Sequence, residues 1–299
     1  MRVIIPIAGY GKRFEPFTKN NQKCLIPILG NPMLKYNVEF LIKEGFDDIS
    51  FILGHYAEKV VDFLDNRFPE MKFSFYYQNK ILGLGHAIAN ALEEKRNEPI
   101  LIILGDLILK KSFMNKIKLN RNYIALFKVD NPERYGVVEL HNNTICNFVE
   151  KPINFVSNLA MVGIYYIESE SKLKNSLDVI ISNKIQSNGE FQLTDGLSHM
   201  LDNGEQFSYF LYNNFYDCGT INSFFKATRM INKNSSKNFI DKSSIIENSQ
   251  IVGSTIGKNC VIKNSTLDNV IVLDNTNIEN EVRQNIIIDS SVINKKMVI

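Results

Sequence analysis

Between Ile245 and Ile278 the apolar residues Ile245, Ile251, Ile256, Ile262, Leu267, Leu273 and Ile278 recur every five or six positions, separated by Asn, Ser, Thr, Gly and Asp. A helical stripe needs a period near 3.6, and a sandwich spaces its strands about ten residues apart, so neither can use this spacing. Short strands that turn about every six residues and stack into coils can use it. The spacing predicts about three coils of a left-handed parallel β-helix built from hexapeptide-like repeats, with IGKNCV at 256–261 its clearest unit. Stacked coils leave flat faces that pack against another copy, so a homo-oligomer is expected.

The polar run NKNSSKN at 232–238 reads as a linker, dividing the chain into 1–235 and 236–299. In the first hundred residues apolar strands at Val3–Ile7, Ile49–Leu53, Phe73–Tyr77 and Ile100–Leu104 alternate with helical patterns. That alternation predicts an α/β fold, a Rossmann-like mixed, mostly parallel sheet with helices on both faces. Between the first two strands Asn31 is expected as N-cap, Pro32 as the first helical residue and Gly45 as the stop, with Leu34, Val38, Leu41 and Ile42 on one face. From about Tyr123 to Tyr166 strands dominate, an insertion on the parallel core. Helices resume near Lys172–Asn183, Thr194–Asp202 and Ile221–Asn232.

A chain of 299 residues with 44% hydrophobic content has material for about two domains. The net charge of +2, with basic residues scattered, implies neither a nucleic-acid face nor a membrane surface. Cys24, Cys146, Cys218 and Cys260 lie far apart without a CxxC pair, which signals neither a zinc knuckle nor a disulfide framework. With no signal-peptide pattern and no membrane-length apolar run, a cytoplasmic protein is expected.

The candidate chemistry begins in IIPIAGYGKRFEPFTKNNQKCLIPILGNP, from Ile4 to Pro32. Gly9 and Gly11 free the backbone to approach phosphate oxygens after a buried strand, and Arg13 and Lys23 supply positive charge, a combination that suits a nucleoside triphosphate. The turn lacks the third glycine of a dinucleotide fingerprint, since Phe14 stands there, and lacks the GK[ST] ending of a P-loop. In ILIILGDLIL, Asp106 sits where a strand ends, and Asp217 in NNFYDCGT follows another short strand. Each either holds a divalent metal such as Mg²⁺, which needs only one or two carboxylates beside phosphate and water, or begins a turn or caps a helix. Gln78, ahead of Gly83 and Gly85, offers an amide that both donates and accepts toward a flat base edge, or is a solvated turn residue, while His86 packs or caps. Glu150 and Lys151 in VEKP bind sugar hydroxyls and phosphate, or form a solvated pair. Thr194 in GEFQLTD reads as a helix cap.

Taken in order, AGYGKRFEPFT, QKCLIPILGNPM, QNKILGLGHA, LGD, RYGVVEL, FVEKP, SNLAMVGIYYI, GEFQLTD and YDCGT resemble the sugar-1-phosphate nucleotidylyltransferases, also called nucleotide-sugar pyrophosphorylases. The likeness covers nearly the whole chain. It is nearest to long-form glucose-1-phosphate thymidylyl- or uridylyltransferase-like members, whose tails carry hexapeptide repeats. The resemblance implies Gly9, Gly11 and Arg13 at the triphosphate, Lys23 at the phosphates, and Gln78 and Gly83 at the base. It likewise implies Gly136, Glu150, Lys151 and Asn158 at the sugar phosphate, with Asp106 and Asp217 on Mg²⁺.

Three positions depart from the family pattern. Lys12 and Phe14 replace the usual threonine and leucine, and Gln22 replaces the proline before the signature lysine. Lys12 adds charge at the phosphate loop, where it either helps or sits outside, and Gln22 removes a rigid turn that would aim Lys23.

The implied reaction is in-line attack of the sugar 1-phosphate on the α-phosphorus of dTTP or UTP, with glucose 1-phosphate the favoured acceptor. Its nucleophile is already ionised and needs no base. A non-catalytic nucleotide-sugar-binding subunit of the same fold is the alternative. An oxidoreductase lacks both the third glycine and an acidic residue about 20 positions on. An acyltransferase in the tail lacks a histidine, since His55, His86, His141 and His199 all precede it.

Overall fold

The computed structural model describes residues 1–118, 120–232 and 238–290. The expected linker, with the boundary at 235, lies outside these except for its end residues Asn232 and Asn238. The chain forms two compact units, one of Met1–Gly9, Phe40–Gly105 and Leu109–Phe215, the other of Tyr10–Glu39, Asp106–Ile108 and Tyr216–Ile299.

The first unit is a mixed sheet of nine strands. In chain order its strands are β1 (Arg2–Pro6), β2 (Ile49–Leu53), β3 (Phe73–Tyr77), β4 (Ile100–Ile103), β5 (Asn122–Lys128), β6 (Gly136–His141), β7 (Thr144–Glu150), β8 (Leu159–Ile167) and β9 (Phe207–Leu211). They run β7-β6-β8-β4-β1-β2-β3, with β5 also beside β8 and β9 beside β5. Strands β4, β1, β2 and β3 are mutually parallel, and β8 joins them antiparallel through β4. The central strands are apolar on both faces, with Val3, Ile4, Ile5, Ile49, Ile52, Ile100, Leu101, Ile102 and Ile103 fully buried, as a sheet covered on both sides requires.

In an open parallel sheet, ligand-binding residues gather beyond the carboxyl ends of the strands. Gly9, Gln78 and Asp106 are each within three residues of such an end. Two further glycines keep the exit of β1 open. A Cβ on Gly54 would lie 2.3 Å from the Ala8 carbonyl oxygen, and one on Gly105 would lie 2.1 Å from Ile7 Cγ2.

Among the described residues there are six α-helices: α1 (Met33–Lys43), α2 (Ala57–Arg67), α3 (Leu84–Ala89), α4 (Glu170–Ser182), α5 (Leu193–Asp202) and α6 (Ile221–Ile231). Helix α1 starts later than the sequence suggests. Asn31 and Pro32 belong to a hairpin, paired Ile28↔Asn31 and Pro27↔Pro32 around Leu29 and Gly30, both at positive φ. The Asn31 amide is spent on the Leu29 carbonyl and on Lys35 Nζ, so it caps nothing. Leu34, Val38 and Leu41 are buried as expected, whereas Ile42, at the edge of that stripe, is 36% exposed. Thr194 is not the cap of α5. Gln192 takes that place, in a reciprocal capping box with Asp195, and leaves Thr194 in the first turn.

The tail, within the second unit, is three ladders of short parallel strands, the arrangement of a left-handed β-helix. One ladder runs through Phe239, Thr255, Ile271 and Ile287, a second through Ile245, Val261 and Asn277, and the third through Gln250, Thr266 and Val282. Bonds between coils repeat at 16 residues, as in Ser254 N–H to Asn238 and Val270 N–H to Ser254. Successive strands therefore step by 6, 5 and 5 residues, Phe239 to Ile245 to Gln250 to Thr255, within the expected spacing of five or six.

The inward residues shift accordingly. The central residue of a three-residue strand faces the core, so Ile246 packs inward while Ile245 is 52% exposed, and Val272 joins the core cluster in place of Leu273. Asparagines mark the corners. Asn248, Asn264 and Asn280 form one column at positive φ, Asn259 and Asn275 a second, and Gly253, Asn269 and Asn285 a third. Asn and Gly tolerate this left-handed backbone better than other residues.

The first strand of the tail also reaches the hairpin after Lys23. A Cβ on Gly30 would lie 2.8 Å from Phe239 Cζ, so only glycine admits the ring there.

Candidate functional site

In the second unit three separated segments meet at one point. Gly11, at φ 64°, opens a 3₁₀ turn over Lys12–Phe14, and its carbonyl accepts from Thr18 Oγ1 at 3.1 Å. A second turn, Lys23–Leu25, is capped by Gln22, whose Oε1 accepts the Lys23 N–H at 2.6 Å. Gln22 is 4% exposed. A buried amide thus fixes this turn by hydrogen bonding.

Lys23 Nζ donates to Asp106 Oδ2 at 2.9 Å and lies 4.7 Å from the centroid of the Phe14 ring. Phe14 is buried and meets Phe224 of α6 edge to face at 5.7 Å. The ring gives Lys23 a cation–π contact and ties its turn to α6.

Asp217 ends the strand Phe215–Asp217, which pairs with Leu107–Leu109, and the Cys218 N–H donates to the Asp106 carbonyl at 2.8 Å. Asp217 Oδ1 accepts from the Gly219 N–H at 2.6 Å. A Cβ on Gly219 would lie 2.8 Å from Asp217 Oδ1 and 3.5 Å from Asp106 Oδ2, so both carboxylates border the space that glycine leaves. Burial holds the Asp217 carboxyl above the usual aspartate range, opposed by the Gly219 hydrogen bond, raised further by the Asp106 charge and eased by Lys23. Two partly buried carboxylates around one gap invite a cation. Among the described residues no group of three or more His, Cys, Asp and Glu is gathered, and a hard divalent ion that keeps waters and phosphate oxygens needs no such cage. The neighbouring thiols Cys24 and Cys218 are buried, and burial pushes both up, so neither is a thiolate at neutral pH.

Lys12 and Arg13 are exposed, and among the described residues neither forms an ion pair, so the structure does not bring them to Asp106.

The first unit carries two further groups. At the end of β3, Gln78 is 4% exposed, and its Nε2 lies 3.1 Å from the Gly83 carbonyl oxygen and 3.0 Å from His86 Nδ1. Gly83 adopts φ 113° and ψ 170°, and a Cβ there would sit 2.5 Å from the Phe191 carbonyl oxygen. Gly85 N–H donates to that same oxygen at 2.8 Å, so the GEFQ segment fastens the start of α3. Gly9 differs: a Cβ there meets no atom within 4 Å, and protein packing does not call for glycine.

The second group lies where β6 and β7 pair Gly136 with Glu150. Glu150 Oε2 accepts from Thr194 Oγ1 at 2.6 Å, and its Oε1 pairs with Lys151 Nζ at 2.9 Å. A Cβ on Gly136 would lie 2.3 Å from Met161 Cε and 3.0 Å from Glu150 Oε2. Asn158 is exposed, and its backbone carbonyl accepts from Val129. Thr194 is the residue sequence reasoning misassigned, because a threonine at a helix start also fits a cap.

No helix among the described residues is long and apolar enough to cross a membrane. A family model described as nucleotidyl transferase matches residues 2–234. The chain is 38% identical over 210 residues to the bifunctional protein GlmU of Methanococcus maripaludis, an alignment covering 69% of this chain and 48% of that protein. It therefore spans about half the length of the first curated relatives it matches. It is 32% identical over 265 residues to UTP–glucose-1-phosphate uridylyltransferase 1 of Staphylococcus saprophyticus, covering 76% of this chain and 91% of that one. A solved structure of a UDP-glucose pyrophosphorylase complexed with UDP-glucose is similar, with TM-score 0.66 and 25% identity over 78% of this chain and 98% of the other.

Proposed function

The chain belongs to the nucleotidyl transferase family, and from that premise we propose that it transfers a nucleotidyl group from UTP or dTTP to a sugar 1-phosphate, with glucose 1-phosphate favoured, releasing pyrophosphate. The observation that carries the reading is the gap at Gly219, bordered by Asp106 and Asp217, with Lys23 bonded to Asp106.

In this reading Asp106 and Asp217 hold Mg²⁺, which when bound supplies charge neutralisation to the phosphates. Lys23 lends its ammonium to the phosphates, where Coulomb attraction is strongest on the negative charge that builds as pyrophosphate leaves. Gly9, Gly11, Lys12 and Arg13 line the triphosphate, the glycines by close backbone approach and the cations by charge. Gln78 and Gly83 meet the base. Glu150 accepts sugar hydroxyls, steadied by Thr194, while Gly136 keeps the floor open and Lys151 and Asn158 meet the sugar phosphate. The acceptor phosphate is already anionic, so no residue has to remove a proton, and the protein's task is to align two polyanions and damp their repulsion. A cytoplasmic homo-oligomer belongs to the same reading.

The test is pyrophosphate release with Mg²⁺, run for five nucleoside triphosphates against several sugar 1-phosphates, with Asp106→Asn alongside. Turnover of UTP or dTTP with glucose 1-phosphate that vanishes in the variant supports the reading. Folded protein that binds nucleotide-sugar yet turns over none of the pairs would replace it with a non-catalytic binding subunit.

A further inference from the structure

Gly83 dictates which way the Gln78 amide faces. A carbonyl oxygen only accepts, so the atom 3.1 Å from the Gly83 oxygen is the amide nitrogen and not its oxygen. That carbonyl direction belongs to a backbone of φ 113° and ψ 170°, open essentially to glycine alone, and a Cβ here would lie 2.5 Å from the Phe191 carbonyl oxygen, so no other residue could present its carbonyl to Gln78 in this way. The same amide nitrogen lies 3.0 Å from His86 Nδ1. For Nδ1 to accept that second N–H it must carry its lone pair, which leaves the ring proton on Nε2. The carboxamide nitrogen of Asn90 approaches the same Nδ1 at 3.5 Å. Burial also draws the His86 pKa down, which favours the neutral ring.

With both amide hydrogens engaged, only Gln78 Oε1 remains for a ligand. We propose that His86, as the Nε2-protonated neutral imidazole, is a positioning and specificity-determining residue that locks Gln78 into presenting an acceptor alone to the nucleotide base. This rests on the reading that Gln78 meets the base. An acceptor there matches the imide N–H of uracil or thymine and opposes the bare ring nitrogen of cytosine. Sequence alone allowed Gln78 to donate as well as accept, and the Gly83–Gln78–His86 relay removes the donor.

The experiment uses the full chain. Dissociation constants of UTP, dTTP and CTP are measured by calorimetry for the native protein, His86→Leu, His86→Asn and Gln78→Ala, together with kcat. Losing one neutral hydrogen bond predicts that His86→Leu weakens UTP and dTTP about three- to tenfold and narrows their advantage over CTP, with kcat within about twofold. His86→Asn returns an acceptor near the place of Nδ1 and restores most of the preference. In parallel, imidazole ¹H–¹⁵N spectra at pH 7.5 should show His86 protonated on Nε2, with that tautomer preference weakened in Gln78→Ala. If Gln78→Ala leaves the base preference intact, the base-contact reading falls, and the proposal with it. If Gln78→Ala abolishes the preference while His86→Leu changes nothing, or if the ring carries its proton on Nδ1, the role of His86 alone is overturned.

Discussion

Lys23 Nζ stands 2.9 Å from Asp106 Oδ2, although 83 residues separate the two in sequence. The pair is not a stability device, because the Asp106 side chain is 37% exposed and a partly solvated ion pair contributes only about 0–1 kcal/mol. It places an ammonium and a carboxylate together where the strand-end gap begins. Lys23→Met should therefore lower kcat by about 10²- to 10³-fold, the range for removing one group that stabilises developing charge, while unfolding free energy falls by no more than about 1 kcal/mol. Pyrophosphate release and urea unfolding measured on the same preparation check both halves.

Gly219→Ala places a methyl group 2.8 Å from Asp217 Oδ1 and 3.5 Å from Asp106 Oδ2. The variant should fold, because Gly219 is a partly exposed turn residue, yet lose at least about tenfold in turnover and need more Mg²⁺ for half-maximal rate. Chelation by EDTA should abolish turnover in the native protein and be reversed by Mg²⁺. A Gly219→Ala enzyme with native rate and native Mg²⁺ dependence would remove the two aspartates from the metal site.

Thr194→Val keeps shape and deletes the hydroxyl that donates to Glu150 Oε2 at 2.6 Å. The expected result is a three- to tenfold rise, roughly the value of one hydrogen bond, in KM for the sugar 1-phosphate, with KM for the nucleotide unchanged. A change in the nucleotide KM instead would detach Glu150 from the sugar.

Acid should loosen the nucleotide. The depressed His86 pKa means that its contribution is complete above the ordinary imidazole value of about 6.5 and is lost as pH falls through the lower folded-state value, where an Nδ1 proton would confront the Gln78 N–H. The ring is flanked by Phe191 at 6.5 Å and by Asn90, burial alone moves its pKa, and no described residue offers the ring an ion pair that would raise it back. UTP affinity followed by calorimetry from pH 8 to pH 5 should fall on the acid side, and His86→Asn should flatten that limb.

In the tail, Asn269→Gly should be nearly neutral, because Gly253 already occupies the same corner one coil earlier, whereas Asn269→Val should cost about 1–2 kcal/mol for forcing a branched side chain into left-handed backbone. Denaturant unfolding of the two variants separates these outcomes.

The sheet was legible because buried parallel strands read as continuous apolar runs, as Ile49–Leu53 does; the edge strand Phe73–Tyr77 is only partly buried, yet its aromatic run also has the expected limits. Asp106 and Asp217 could be singled out because a carboxylate after an apolar strand is conspicuous, but only tertiary packing brings both to Gly219. Other features were ambiguous in one dimension. Pro32 suits a helix start as well as the end of a hairpin, and the pairing with Pro27 decides. Thr194 suits a cap, and Gln192 with Asp195 displaces it. Gln22 looked like a loss because its compensation is a hydrogen bond from the next residue's backbone. The apolar period of the tail was visible, but the choice between Ile245 and Ile246 as the inward residue depends on where each corner falls.

The stride of the tail carries a consequence for how such a chain changes length. With bonds joining residues 16 apart, a lone inserted residue would throw every later serine and asparagine out of line with its counterpart, while a block of sixteen would leave all ladders continuous. Tail length is then a discrete variable, free to differ among relatives by whole turns and resistant to anything smaller.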